Sequence, residues 1–204
     1  MSSTLYSTAE TPAGSLAWRL NLKRLEAARR AGRAMAGIAV AAALVIAVGN
    51  AFGVLISNTD SAAPAGIYHI VSRKFQRGDL VAACLPIAIA RQGLARGYLR
   101  TGACAGNAEP VGKIVGALPG DIVEIEPTWV MVNGERLKRS AITARDSVGR
   151  ALRHVAWGSH RVQAGEVWLF GFNDRRSWDS RYFGAIPLAN VRGQIKPVVL
   201  WWMP

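Results

Sequence analysis

The stretch IVEIEPTWVMVNGERL, Ile122 to Leu137, decides the fold class. Residues 122–125 and 129–132 are short runs rich in β-branched and aromatic side chains, and Pro127-Thr128 breaks the chain between them. Asn133-Gly134 then separates the second run from residues 135–137. Asn-Gly tolerates the two positive φ angles of a type I′ turn, so the whole reads as strands closed by a hairpin. The same texture extends outward on both sides. Residues 67–71, 80–83, 114–117, 166–171 and 191–201 are apolar, strand-length and bounded by Gly, Pro or Asp. One segment departs from it: 87–100 has helical spacing with Arg on one side, weakened by Gly93 and Gly97. No internal repeat or low-complexity tract is present. The expectation is a mostly β domain.

Upstream the texture changes. From Ala34 to Ile56 there is no charged residue and only Asn50 is strongly polar. As a helix this run is long enough to cross a hydrocarbon core of ~30 Å. Arg19, Lys23, Arg24, Arg29, Arg30 and Arg33 precede it, against only Glu10 and Glu26. The positive-inside rule then keeps the N-terminus in the cytoplasm and sends the rest across the membrane. A cleavable signal peptide has the same grammar, but the apolar run is longer than a usual signal core and follows a long basic leader. The expected organisation is a cytoplasmic basic tail over 1–33, whose residues 19–33 suit an amphipathic surface helix, a transmembrane anchor over 34–57, and an exported domain over 58–204.

The chain carries a net charge of +12. Beyond the anchor its Lys and Arg are scattered singly or in pairs, without a dense run or an aromatic stacking repeat, so no nucleic-acid partner is expected. A solvated basic surface facing anionic lipid headgroups is the better account. Trp157, Trp168, Trp201 and Trp202 suit an interfacial belt or ordinary core and edge positions. Neither Cys-x-x-Cys nor a His/Cys ligand cluster occurs, so neither a metal nor a cofactor is expected. Cys84 and Cys104 both follow the anchor. Outside the cytoplasm they have only each other as disulfide partners, the alternative being two separate buried thiols.

Three segments carry chemistry. Ser61 stands among small residues with Pro64 and Gly66 just after it, a setting that exposes its hydroxyl beside free backbone N–H groups. Taken alone it is equally an ordinary loop serine. Lys113 opens an apolar run that closes in Leu118-Pro119-Gly120-Asp121. Desolvation there disfavours its ammonium form and prepares it as a base; the plainer reading is a snorkelling lysine at a strand start. The third segment, Gly171 to Gly184, packs polar and charged side chains densely after an apolar run. It is either a salt-bridged turn or a shell that orients catalytic groups.

Together the three segments resemble the S26 signal-peptidase family, in which a Ser-x-x-Pro box, a lysine box ending in Leu-Pro-Gly-Asp and a Ser-x-Asp-Ser-Arg-Tyr-x-Gly box follow a membrane anchor. Ser61-Ala62-Ala63-Pro64, Lys113 to Asp121, and Ser177-Trp178-Asp179-Ser180-Arg181-Tyr182-Phe183-Gly184 match in that order. Asn58, Thr59, Ser61, Pro64, Gly66 and Tyr68 follow the style of the conjugative-transfer branch, the TraF type, as do the two cysteines ahead of the lysine box. Ile114, Phe172 and Ala62 depart from the family's usual Arg, acidic residue and Met.

The resemblance implies a signal-peptidase-like β domain on one N-terminal transmembrane helix in the bacterial inner membrane, with the catalytic domain periplasmic. It implies a serine endopeptidase with Ser61 as nucleophile and Lys113 as general base, cleaving a membrane-bound precursor such as a conjugative pilin. Release of the acyl-enzyme to an amine of the same substrate would close a cyclic pilin. The Ser61 N–H and the Thr59 hydroxyl are expected to form the oxyanion hole, Ser177 and Asp179 to orient Lys113, and Arg181 to tie down Asp179. A general signal peptidase, and a non-catalytic anchored assembly factor of a conjugation or secretion apparatus, are the alternatives.

Overall fold

A computed structural model describes residues 16–51, 54–57 and 61–201. The chain divides into two compact units, Met1–Val48 and Gly49–Pro204. In the first, helix α1 (Leu16–Ala51) runs unbroken from the basic segment through the apolar one. Its portion Asn21–Gly49 is long and apolar enough to cross a membrane by length and composition. The helix stops before the apolar sequence does. Val54–Ser57, at the end of the apolar run, form a strand, β1, as β-branched side chains favour.

The second unit is mostly β. Strands β1, β2 (Gly66–Ser72), β3 (Leu80–Ala83), β4 (Val111–Ala117), β9 (Glu166–Phe170), β10 (Ile186–Pro187) and β11 (Val191–Leu200) build one sheet. Its order is β1-β2-β11-β3-β4-β9-β10. A second sheet, β7-β6-β5-β8, contains β5 (Ile122–Glu126), β6 (Trp129–Val132), β7 (Glu135–Arg136) and β8 (Gly158–Arg161). All pairings are antiparallel. The Asn-Gly turn forms as its sequence demands, with φ of 51° at Asn133 and 78° at Gly134. Asn133 also caps its surroundings, accepting from the Ile122 N–H and donating to Asp121.

Strand β9 shows why the middle of the unit is uninterruptedly apolar. Successive strand side chains point to opposite faces. Val167 and Leu169 join one core with Val81, Leu85, Val115 and Ile186. Trp168 and Phe170 join another with Val123, Ile125, Val130 and Val132. A strand buried on both faces cannot alternate with polar residues.

Helix α2 (Ile87–Ala95) is shorter than the predicted 87–100, ending at Ala95 with Arg96 as its C-cap before Gly97 with φ of 71°. Three strands were not predicted: β1, β8 and β10. β8 is a polar strand held through backbone pairing to β5, so no hydrophobic period marks it. Cys84 and Cys104 form a disulfide with Cα atoms 5.5 Å apart, joining the end of β3 to the loop beyond α2. Trp168 is buried core rather than interface, Trp157 is 46% exposed, and Trp202 lies outside the described residues.

Candidate active site

Lys113 lies within β4, paired with Val81 on β3, and the residue is only 5% exposed. Its Nζ stands 3.2 Å from Ser61 Oγ and 2.7 Å from Ser177 Oγ. Residues 52 and 64 positions away in sequence thus meet on one amine. Burial pushes the lysine down to about 8, opposed by the Asp179 carboxylate and assisted by the Arg181 guanidinium. An amine with that affinity carries a neutral fraction near neutral pH, as a general base requires.

Hydrogen bonds from several elements fix the segment holding Ser61. The Asn173 N–H donates to the Ser61 carbonyl at 3.1 Å. The Tyr68 hydroxyl donates to the Pro64 carbonyl, locking the turn between the serine and β2. Gly171 allows the approach from the other side. A Cβ there would lie 2.2 Å from Ser177 Oγ and 2.7 Å from the Ser61 carbonyl oxygen. Any side chain would force the serine, or the residue holding the lysine, out of place.

Behind Ser177 is a fully buried ion pair. Arg181 Nε and Nη2 donate to the two carboxylate oxygens of Asp179, each at 2.8 Å, with neither residue exposed. Asp179 also accepts from the Gly171 N–H at 2.9 Å and caps α3 (Ser180–Phe183) through the Arg181 N–H. The remaining guanidinium hydrogens reach the Ala141 carbonyl at 2.9 Å and the Ser177 carbonyl at 3.2 Å. No buried side-chain polar atom among the described residues lacks a partner. Such a bidentate, fully satisfied pair holds its shape.

The structure therefore brings Ser61, Lys113, Ser177, Asp179 and Arg181 together. Asp179 makes no hydrogen bond to Lys113; it acts on the lysine through its charge and on Ser177 through the loop it braces. Thr59 lies outside the described residues. Asn173 and the Arg139 and Ala141 carbonyls escaped the sequence reading, because backbone groups that hold a site leave no residue-type signature. Among the described residues no group of His, Cys, Asp and Glu is arranged to hold a metal.

A profile of the family described as signal peptidase, peptidase S26, matches residues 28–202. The chain belongs to the S26 signal-peptidase family. Within it, the chain is 35% identical over 181 residues to a plasmid transfer protein TraF of Escherichia coli, covering 88% of this chain and 98% of that protein. It is 36% identical over 167 residues to a conjugal transfer protein TraF of Agrobacterium fabrum, covering 80% of this chain and 91% of the relative. A signal peptidase I of Enterococcus faecalis is a solved structure similar to this S26 protein at 25% identity, with a TM-score of 0.36, covering 61% of this chain and 98% of the other.

Proposed function

We propose that this S26 protein is a membrane-anchored serine endopeptidase of the conjugative-transfer type that cleaves an exported precursor, with a pilin precursor as its substrate. The observation that carries the reading is the buried amine of Lys113 at 3.2 Å from Ser61 Oγ. Ser–Lys pairs perform the triad's chemistry without histidine. Neutral Lys113 takes the Ser61 proton as Oγ adds to the scissile carbonyl carbon. The resulting ammonium returns that proton to the leaving amine as the C–N bond breaks, leaving an ester on Ser61. Water, or an amine of the substrate itself, then attacks the ester while Lys113 accepts its proton and returns it to Ser61. The Ser61 N–H and the Thr59 hydroxyl stabilise the oxyanion. Ser177 fixes the lysine rotamer, and the Asp179–Arg181 pair fixes Ser177. The anchor reading keeps residues 1–33 cytoplasmic and 58–204 periplasmic, supported by the basic flank of α1 and its apolar span.

The test is cleavage of a pilin precursor in membranes by the wild type, Ser61→Ala and Lys113→Ala at matched expression. Both variants should lose cleavage while remaining folded and inserted. Full cleavage by either one would exclude the mechanism and favour a non-catalytic assembly role.

A further inference from the structure

Beside the catalytic segment lies an open cleft of about 620 Å³ whose charged lining is entirely cationic: Arg136, Lys138, Arg139 and Arg175. A neighbouring cleft of about 590 Å³ shares Arg139 and Arg175 and extends along Asn173 and Asp174. Among the described residues, none of these four cations has a carboxylate within ion-pair distance. The one acid at the junction, Asp174, is engaged by Arg176 at 2.9 Å. Like charges gathered without counter-charges repel one another and raise the local potential for an anion.

The cleft is joined to the candidate active site by the backbone that builds both. The Arg139 Nη1 donates to the Asn173 carbonyl at 3.4 Å, and the Asn173 N–H donates to the Ser61 carbonyl at 3.1 Å. The Arg139 carbonyl in turn accepts from Arg181 Nη1 at 3.4 Å, and Arg139 is held at φ of 51°. One residue thus separates the Arg139 guanidinium from the serine segment. Roughly two to four extended residues, at about 3.3 Å each, cover that span.

We propose that the cleft is a specificity subsite for acidic side chains of the substrate, a few residues from the scissile bond. This rests on the peptidase reading of Ser61 and Lys113. Guanidinium groups match carboxylates bidentately, and their arrangement around one cleft selects a flank of negative charge over a neutral one of the same shape. Because the cations are exposed, the preference is screened by salt.

The experiment uses the full chain carrying Ser61→Ala, in nonionic detergent micelles, so that no peptide is consumed. Binding of fluorescein-labelled peptides with an alanine-rich core and a Glu, Gln or Lys flank is followed by anisotropy. The Glu peptide should bind about tenfold tighter than its Gln twin, the sum of several exposed ion pairs, and lose that margin as salt rises. Arg136→Glu/Lys138→Glu/Arg175→Glu should abolish the preference and gain affinity for the Lys peptide, a gain that an unfolded protein cannot give. Equal binding of Glu and Gln twins, or a preference that survives the triple substitution, would overturn the proposal. So would binding that depends on these cations only for phosphatidylglycerol vesicles and not for the peptide, which would make the cleft a headgroup site. Since binding is read without catalysis, cleavage by Ser61→Ala would sink the peptidase reading and leave the binding result standing.

Discussion

Two aspartate–arginine pairs in the β unit are chemically alike and do different work. Asp179 and Arg181 meet at 2.8 Å with both side chains fully buried. Asp146 and Arg150 meet at 2.6 Å with 5% and 42% of their side chains exposed. The first pair braces the residues around Lys113. The second fastens residues 145–151, where Arg145 bridges to Ala151, onto Tyr98, whose hydroxyl donates to Asp146 at 2.6 Å while Arg150 lies over its ring. Burial sets the difference. Arg150, 42% exposed, can find water without its partner, whereas Arg181 in the interior has nothing to replace the lost carboxylate.

Breaking the buried pair is the most damaging single change expected. Asp179→Ala leaves the Arg181 guanidinium unpaired in the core and frees the Gly171 N–H. Such a change typically costs about 3–5 kcal/mol of stability. Misplacement of Ser177 by an ångström would lower turnover about 100-fold or more. Denaturant melting and precursor cleavage on the same preparation check both. Unchanged cleavage in a destabilised protein would mean the pair serves folding alone.

The same pair sharpens the pH dependence. On the proposed Ser61–Lys113 mechanism activity needs neutral Lys113, so the rate should fall about tenfold per pH unit below about 8 and level off above it. Asp179→Asn removes the carboxylate that favours the ammonium and leaves burial and Arg181, which both oppose it, so the limb should move to lower pH. Stability favours the same neutral state. Because the folded lysine titrates below its ordinary 10.5, the unfolded chain binds more protons between about 8 and 10.5. Stability should therefore rise with pH across that window, recovering about 3 kcal/mol that protonated burial costs below it. Replacing Lys113 by Met should flatten that rise in a pH series of melts.

The contrast between the two pairs was only half legible in the residues. The buried pair sits inside a dense motif that residue chemistry alone left as either a salt-bridged turn or an orienting shell; the roles of Ser177, Asp179 and Arg181 came from the resemblance to the family's third box. Lys113 and Ser61 are distant from it in sequence, and their junction came from the order of three boxes rather than from any local pattern. The Asn-Gly hairpin and the doubly buried β9 were readable because turn chemistry and apolar runs are local properties. Polar β8 and two-residue β10 were not, since tertiary backbone pairing alone defines them. Nor does spacing show that Tyr98 and Asp146, 48 residues apart, share a hydrogen bond.

Trp178 links the two regions. It lies between Ser177 and Asp179 in sequence, and its ring packs on Tyr98 at 5.3 Å and on Phe183 at 5.1 Å between centroids. Helix α2 reaches it at Gly93, where a Cβ would lie 2.8 Å from Trp178 Cζ3 and 2.6 Å from Leu99 Cδ1. Gly93→Ala should therefore overpack this contact, costing about 1–3 kcal/mol. It should lower turnover less than Asp179→Ala does, because Trp178 shifts the loop without unpairing a charge. A destabilised variant with wild-type turnover would show that the tryptophan seat is not coupled to the site.

Asp146→Asn is the mildest break. Burial pushes the Asp146 carboxyl up, and hydrogen bonds from Tyr98 and Arg150 overcome it and hold the group below the usual carboxylate range. The neutral amide keeps the shape and loses the charge, so the hairpin over residues 145–151 should open more often while the lysine field is untouched. Amide exchange should quicken at Val148 and Arg150, whose N–H groups bond to Asp146 at 3.1 Å and 2.8 Å, with turnover and the pH limb unchanged. A displaced limb would instead mean that strain in this clamp passes through Tyr98 and Trp178 to Ser177, and the surface pair would then have to be counted with the buried one.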